Sequence, residues 1–137
     1  MLRIVLDTNV LVASISQKSP FYWVWEAFVH GKYQLCITTE ILDEYAEIIE
    51  RYFSVLDEEN TLNQIMLSQN IIQIVRYYEW NAITKDPDDN KFFDCAVAAN
   101  AHFIVSEDKH FNVLTKISFP KVNRIKTEDF KKLIEIE

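Results

Sequence analysis

The stretch Leu2-Arg3-Ile4-Val5-Leu6-Asp7-Thr8-Asn9-Val10-Leu11-Val12-Ala13-Ser14-Ile15 decides the fold. Residues 2–6 form an apolar run of strand length and read as a buried strand. Val10 to Ile15 is a second apolar run and reads as a short helix. Asp7 stands between them, next to core-forming sequence, where a carboxylate is costly unless something cationic meets it.

The same alternation continues outward from this stretch. Ser19-Pro20 forms an N-cap and first-turn pair opening a helix through Phe28, with Gly31 placed to end it. Gln34 to Ile37 is a second strand. Thr38-Thr39 then starts a helix to about Tyr52, with Ile41, Leu42, Tyr45, Ile48, Ile49 and Tyr52 at helical spacing. A helix over Leu56–Gln69 and a strand over Ile71–Val75 follow, and the segment from Thr84 to Asn90 is the clearest loop. Next come a helix from about Lys91 to Ala101, a strand at 103–105, a short helix near 110–116 and a strand at 122–125. The last element is a helix from Glu128 to Ile134, N-capped by Thr127. Strands alternating with helices predict an α/β fold, a mostly parallel sheet covered by helices on both faces. No repeat, low-complexity tract or linker divides the chain, so 1–137 is expected to be one domain.

Composition removes several function classes. Apolar residues make up 49% of the 137, enough for a core and too many for a disordered chain. The net charge of −7 is unlike a coat protein that holds nucleic acid with a basic face, although an acidic metal site would carry part of that charge. With one glycine, Gly31, neither a P-loop nor a dinucleotide fingerprint is possible. Cys36 and Cys95 lie far apart inside apolar segments and read as reduced core residues of a cytoplasmic protein. No signal peptide fits the first residues, and no stretch is long and apolar enough to span a bilayer.

Four acids sit beside or at the end of apolar segments: Asp7, Glu44, Asp94 and Asp108. Asp7 and Asp108 follow strands, where open α/β sheets gather reactive groups; the alternative is a turn or cap. On its helix Glu44 lies about 100° from the centre of the apolar stripe, nearer than Glu40, Asp43, Glu47 or Glu50; the alternative is an exposed glutamate at the rim of the core. Asp94 shares a face with Val97, Ala98 and Ala101 and needs a partner there, or else is a helix-start acid favoured by the macrodipole. Asp86, Asp88 and Asp89 read as loop acids, with Asp88 or Asp89 capping the next helix and Asp89 also a candidate fifth ligand or supporting group. Asn9 and Ser106 can orient a carboxylate or water, or form an Asx-type turn and a cap. Lys91, Lys109 and His110 flank the acids and can touch phosphates, with His110 favoured as a bystander; His30 and His102 read as structural. The group Phe21, Tyr22, Trp23, Trp25 and Phe28 has helical spacing and reads as core or dimer interface before base-stacking platform.

Should the fold unite the four acids, a divalent metal is the natural counter-charge, and phosphodiester hydrolysis the chemistry it suggests. Ile4-Val5-Leu6-Asp7-Thr8-Asn9-Val10-Leu11 resembles the opening motif of PIN-domain nucleases. Ile41-Leu42-Asp43-Glu44 resembles their second motif, Asp94-Cys95-Ala96-Val97-Ala98-Ala99-Asn100-Ala101 the third, and Ile104-Val105-Ser106-Glu107-Asp108 the fourth, with serine where threonine is commoner. The motifs come in the family's order and cover residues 1 to about 126; Asp-Pro-Asp-Asp-Asn-Lys at 86–91 resembles a bacterial and archaeal subgroup of toxin–antitoxin toxins of the VapC kind. The resemblance implies a three-layer α/β/α fold with four or five parallel strands, and cleavage of RNA dependent on one or two Mg²⁺ or Mn²⁺ ions at Asp7, Glu44, Asp94 and Asp108. It also implies homodimers and a small antitoxin that blocks the site. A haloacid-dehalogenase phosphatase needs an acid where Asn9 stands, and a response-regulator receiver needs paired acids at the first strand end. The remaining rival is a non-catalytic module that binds RNA or protein.

Overall fold

The computed structural model describes residues 1–136. Five strands, β1 (Arg3–Leu6), β2 (Gln34–Ile37), β3 (Ile71–Gln73), β4 (Phe103–Val105) and β5 (Arg124–Ile125), form one sheet in the order β3-β2-β1-β4-β5. Every neighbouring pair is parallel, with Val5 opposite Ile104 and Ile4 opposite Leu35 at the centre. Ile4, Val5, Leu6, Leu35, Cys36, Ile37, Ile104 and Val105 are fully buried, as strands covered on both faces must be. Right-handed crossovers send the helices of the two halves to opposite faces, giving the three-layer α/β/α architecture.

Between the strands run α1 (Thr8–Ser14), α2 (Tyr22–Val29), α3 (Thr39–Tyr52), α4 (Val55–Leu67) and α5 (Asn90–Ala98), and α6 (Thr127–Ile136) follows β5. Helix α1 begins two residues earlier than its apolar residues suggest. The Asp7 carbonyl already accepts from the N–H groups of Val10 and Leu11, at 3.0 and 3.1 Å. Helix α2 starts later than expected, because the Ser19 hydroxyl accepts from Phe21 N–H and closes a turn ahead of the helix. Its end is as expected. Gly31 takes φ +73°, Lys32 N–H reaches the Ala27 carbonyl and Gly31 N–H the Phe28 carbonyl, which closes the last turn with a left-handed residue.

Thr38 caps α3 by accepting from Ile41 N–H, and Ile41, Tyr45 and Ile49 form its buried stripe. The Tyr45 hydroxyl donates to the Leu6 carbonyl at 2.6 Å and so pins α3 to the end of β1. Helix α5 stops at Ala98, three residues short of expectation, where Asn100 turns the chain with φ +51°. Three aromatic residues of α2 take part in the aromatic packing, Phe28 buried and Trp23 and Trp25 half-buried. Trp23 meets Phe130 of α6, Trp25 meets Phe28, and Phe28 and Phe130 both meet Tyr33.

From β1 the chain winds outward one way to β2 and β3, then returns to place β4 on the other side of β1. The order reverses between β1 and β4. A crevice forms beyond the carboxyl ends of those two strands, where doubly wound sheets bind ligands.

Candidate metal centre

Asp7 leaves β1 and Asp108 follows β4, so the topology alone brings these acids to the two walls of the crevice. Ser106 joins them. Its hydroxyl donates to Asp7 Oδ2 at 2.7 Å and accepts from Asp108 N–H at 2.9 Å, and the serine is fully buried. Burial pushes the Asp7 carboxyl above the usual range; the Ser106 hydrogen bond opposes this, and the charge of Asp108, and more weakly that of Glu44, adds to it. Asp108 is held further through its carbonyl, which accepts from Arg124 Nη2 at 2.7 Å.

Asp89 completes the group. It precedes α5 in the N-cap position, but its carboxylate makes no cap hydrogen bond there. It turns inward instead and is only 8% exposed. Among the described residues, no donor satisfies Asp89 Oδ2. Burial, and then the charges of Asp86, Asp7 and Asp108, push its carboxyl up to about 7, with His110 pulling the other way. His110 Nδ1 lies 3.3 Å from Asp86 Oδ2, 3.4 Å from Asp108 Oδ1 and 3.7 Å from Asp89 Oδ2. One ligand atom from each of Asp86, Asp89, Asp108 and His110 lies within 4.8 Å of the other three. One buried carboxylate with an orphaned oxygen, beside two half-buried ones and an exposed imidazole, can hold a cation, and a divalent ion fits this donor set.

Glu44 stands at the edge. Its carboxylate accepts from the Thr8 hydroxyl of α1 and pairs with Lys91 Nζ at 2.8 Å. The helical wheel placed it beside the buried face of α3, and its side chain is 27% exposed.

Asp94 is not brought into this group, contrary to the sequence expectation. It is buried, as its apolar face requires, but its Oδ1 accepts from Trp80 N–H at 3.1 Å. Burial raises its carboxyl, the Trp80 hydrogen bond opposes that, and the charges of Glu79 and Glu40 add to it. It lines a separate cavity of about 220 Å³ with Glu40, Tyr77 and Glu79. The cause is helical geometry. Asp94 lies in the body of α5 while Asp89 belongs to the 3-10 turn ahead of it, so the two carboxylates leave the helix start in different directions.

Two larger cavities flank the acids. One of about 360 Å³ is lined by Asp7, Asn9, Val10, Ala13, Phe21 and Asp108 among others, so Asn9 faces the cleft. The other, about 390 Å³, is lined by Lys85, Lys109, His110 and Lys116. It gathers cations in a chain whose net charge is −7. The sequence alone gives no reason to single out Lys85 and Lys116, and it reads Asp86 as a loop acid and His110 as a bystander. Only the charge density of 84–91 and the closeness of His110 to Asp108 hinted otherwise.

Among the described residues, no helix is long and apolar enough to cross a membrane. The family profile described as PIN domain matches residues 3–110. Among solved structures, the chain is similar to VapBC2 from Rickettsia felis, solved bound to a DNA fragment from its promoter. That match has 17% identity and a TM-score of 0.61, over 91% of this chain and 98% of the other. It is also similar to Mycobacterium tuberculosis VapC20, described as a Sarcin-Ricin loop cleaving toxin, with 11% identity and a TM-score of 0.61 over 87% and 98% of the two chains. No curated protein matches in sequence.

Proposed function

Because the chain belongs to the PIN domain family, we propose that it is a metal-dependent ribonuclease, the toxin of a toxin–antitoxin pair, acting as a single cytoplasmic domain. The observation that carries this is the cleft at the β1–β4 reversal, where burial and neighbouring carboxylates raise the Asp7 and Asp89 carboxyls and Asp89 Oδ2 has no partner among the described residues. Asp7, Asp89 and Asp108 would hold one or two Mg²⁺ or Mn²⁺ ions, with Glu44 at the rim. Asp89 takes the place expected for Asp94, whose carboxylate is engaged by Trp80 on another side of α5. When bound, a divalent ion neutralises phosphate charge and makes water acidic enough to attack phosphorus near neutral pH.

The chain's own groups set the geometry for that chemistry. Ser106 fixes Asp7 against Asp108, and Thr8 fixes Glu44. Lys91 spans Glu44 and the Asp88 carbonyl, holding α3 against the turn that carries Asp89. Lys85, Lys109 and Lys116 line a cavity that can take backbone phosphates, and the cavity beside Asn9 and Phe21 can take a nucleoside. RNA as the substrate is supported by the motifs, and a cleaving toxin by the fold shared with VapC20. Partners proposed with this role are a small antitoxin, since the Rickettsia felis relative is a VapBC complex, and a second copy of the chain. Exposed apolar side chains on α3 and α4, such as Tyr52, Leu56 and Leu67, suit such a protein partner.

The test is incubation of mixed cellular RNA with the protein, with and without Mg²⁺ or Mn²⁺, beside Asp7→Asn and Asp89→Asn. Cleavage that needs metal and is lost in both variants is expected. RNA left intact under every condition would assign the chain to the non-catalytic binding modules instead.

A further inference from the structure

The His110 ring stands farther from the acids around it than a tight ion pair would bring it. Its Nδ1 stands 3.3, 3.4 and 3.7 Å from three carboxylate oxygens. A charge-assisted N–H···O bond closes to about 2.7–2.9 Å. The imidazole therefore faces a gap shared by Asp86, Asp89 and Asp108. The His110 backbone is held beside the gap, since its N–H donates to one of those same oxygens, Asp108 Oδ1, at 2.9 Å.

The size of the gap is informative. Ligands bound at about 2.1 Å lie about 3.0 Å apart when adjacent and about 4.2 Å apart when opposite. The four ligand atoms, all within 4.8 Å of one another, need only a small contraction to reach those spacings. Asp89, 8% exposed with an oxygen that no donor among the described residues satisfies, points into the same gap.

We propose that Asp86 and His110 join Asp89 and Asp108 in a mixed nitrogen–oxygen cation site that takes a transition dication of the Mn²⁺ class in preference to Mg²⁺. It rests on the reading of the cleft as metal-dependent and adds to it which ion is preferred and why. Mg²⁺ is a hard ion that keeps oxygen ligands and several waters, whereas an imidazole nitrogen favours the transition metals. Nδ1 offers its lone pair when the proton sits on Nε2, and Nε2 is then free to reach solvent, as a residue 45% exposed in its side chain allows.

The experiment uses the full chain, stripped with a chelator and titrated with MnCl₂ or MgCl₂ by calorimetry, with spin-echo spectroscopy of the bound Mn²⁺. The wild type should bind Mn²⁺ at least about 10-fold tighter than Mg²⁺ and show nitrogen modulation of the Mn²⁺ signal. His110→Asn should remove the modulation and weaken Mn²⁺ about 10-fold or more, while Mg²⁺ affinity moves less than about 3-fold. Asp86→Asn should weaken both ions and keep the modulation. Mn²⁺ bound without nitrogen modulation, or modulation that survives in His110→Asn, overturns the proposal and leaves the metal-dependent cleft standing. A wild type that binds neither ion overturns both. Because the spectrum of the wild type alone can decide, a variant that folds poorly does not shield the proposal.

Discussion

Replacing Asp89 by asparagine should stabilise the metal-free protein above neutral pH. The ordinary carboxyl value of 3.8 is pushed up to about 7 in the folded chain. A group that binds its proton more tightly when folded favours the native state while protonated. Its contribution is therefore complete below about pH 4 and is lost as pH rises through about 7. At about 1.4 kcal/mol per unit, the ionised carboxylate destabilises the fold by at most about 4 kcal/mol. The cleft opens to water, and screening reduces this to about 1–2 kcal/mol. Asparagine keeps the shape, removes the charge, and offers an amide to the oxygens of Asp86 and Asp108. The assay is thermal unfolding in EDTA at pH 8 and at pH 5. At pH 8 the variant should melt about 3–8 °C above wild type, and at pH 5, where the folded chain keeps the Asp89 proton but the unfolded chain has mostly lost it, the gain should be less than half as large. Millimolar Mn²⁺ should reverse the order, because only wild type keeps the full ligand set. A variant no more stable than wild type at pH 8, or a gain of equal size at both pH values, would refute the picture of a carboxylate ionised against its surroundings.

Asp94→Asn should leave the affinity for Mn²⁺ within about 3-fold of wild type by calorimetry, in contrast to Asp89→Asn, since Asp94 lines a separate cavity and its remaining oxygen still accepts from Trp80 N–H. An equal loss in both variants would return Asp94 to the ligand set. Ser106→Ala deletes the hydroxyl that bridges Asp7 and the Asp108 backbone, so urea unfolding should show a loss of about 1–2 kcal/mol and RNA cleavage should fall with it. Gly31→Ala meets no atom within 4 Å but must adopt φ +73°, so a loss of about 1 kcal/mol from backbone conformation alone is expected in the same measurement. A loss above about 3 kcal/mol there would mean that the added methyl group meets neighbouring atoms.

Much of this fold could be read from local sequence. The β4 run at 103–105 and the Thr38 cap fall where the residues place them, because an apolar run and a hydroxyl ahead of a helix are decided by nearest neighbours. Asp7 and Asp108 were legible for the same reason, as polar residues at the ends of buried strands. The choice between Asp89 and Asp94 was not. Both lie near the start of one helix, and the side each faces depends on where the first turn begins, which the short 3-10 turn at Pro87–Asp89 sets. Asp94 also had the small-residue surroundings of a family motif, whereas its Trp80 partner comes from a segment without regular structure, outside any periodic pattern. The meeting of Asp86 with His110 joins positions on either side of α5 and β4, and no spacing rule spans such a closure.

The strand order carries a consequence for how the protein is born. Asp7 and Ser106 touch across 99 residues, and β4 must slide in beside β1 at the centre of a sheet whose other half is made earlier. A growing chain on the ribosome therefore exposes its first carboxylate long before the residues that complete the cleft have been synthesised. Non-local pairing of this kind is slow to form. The cleft therefore comes together only when translation of the domain is nearly done, so the cleavage proposed for it would begin with the finished chain and not on the growing one.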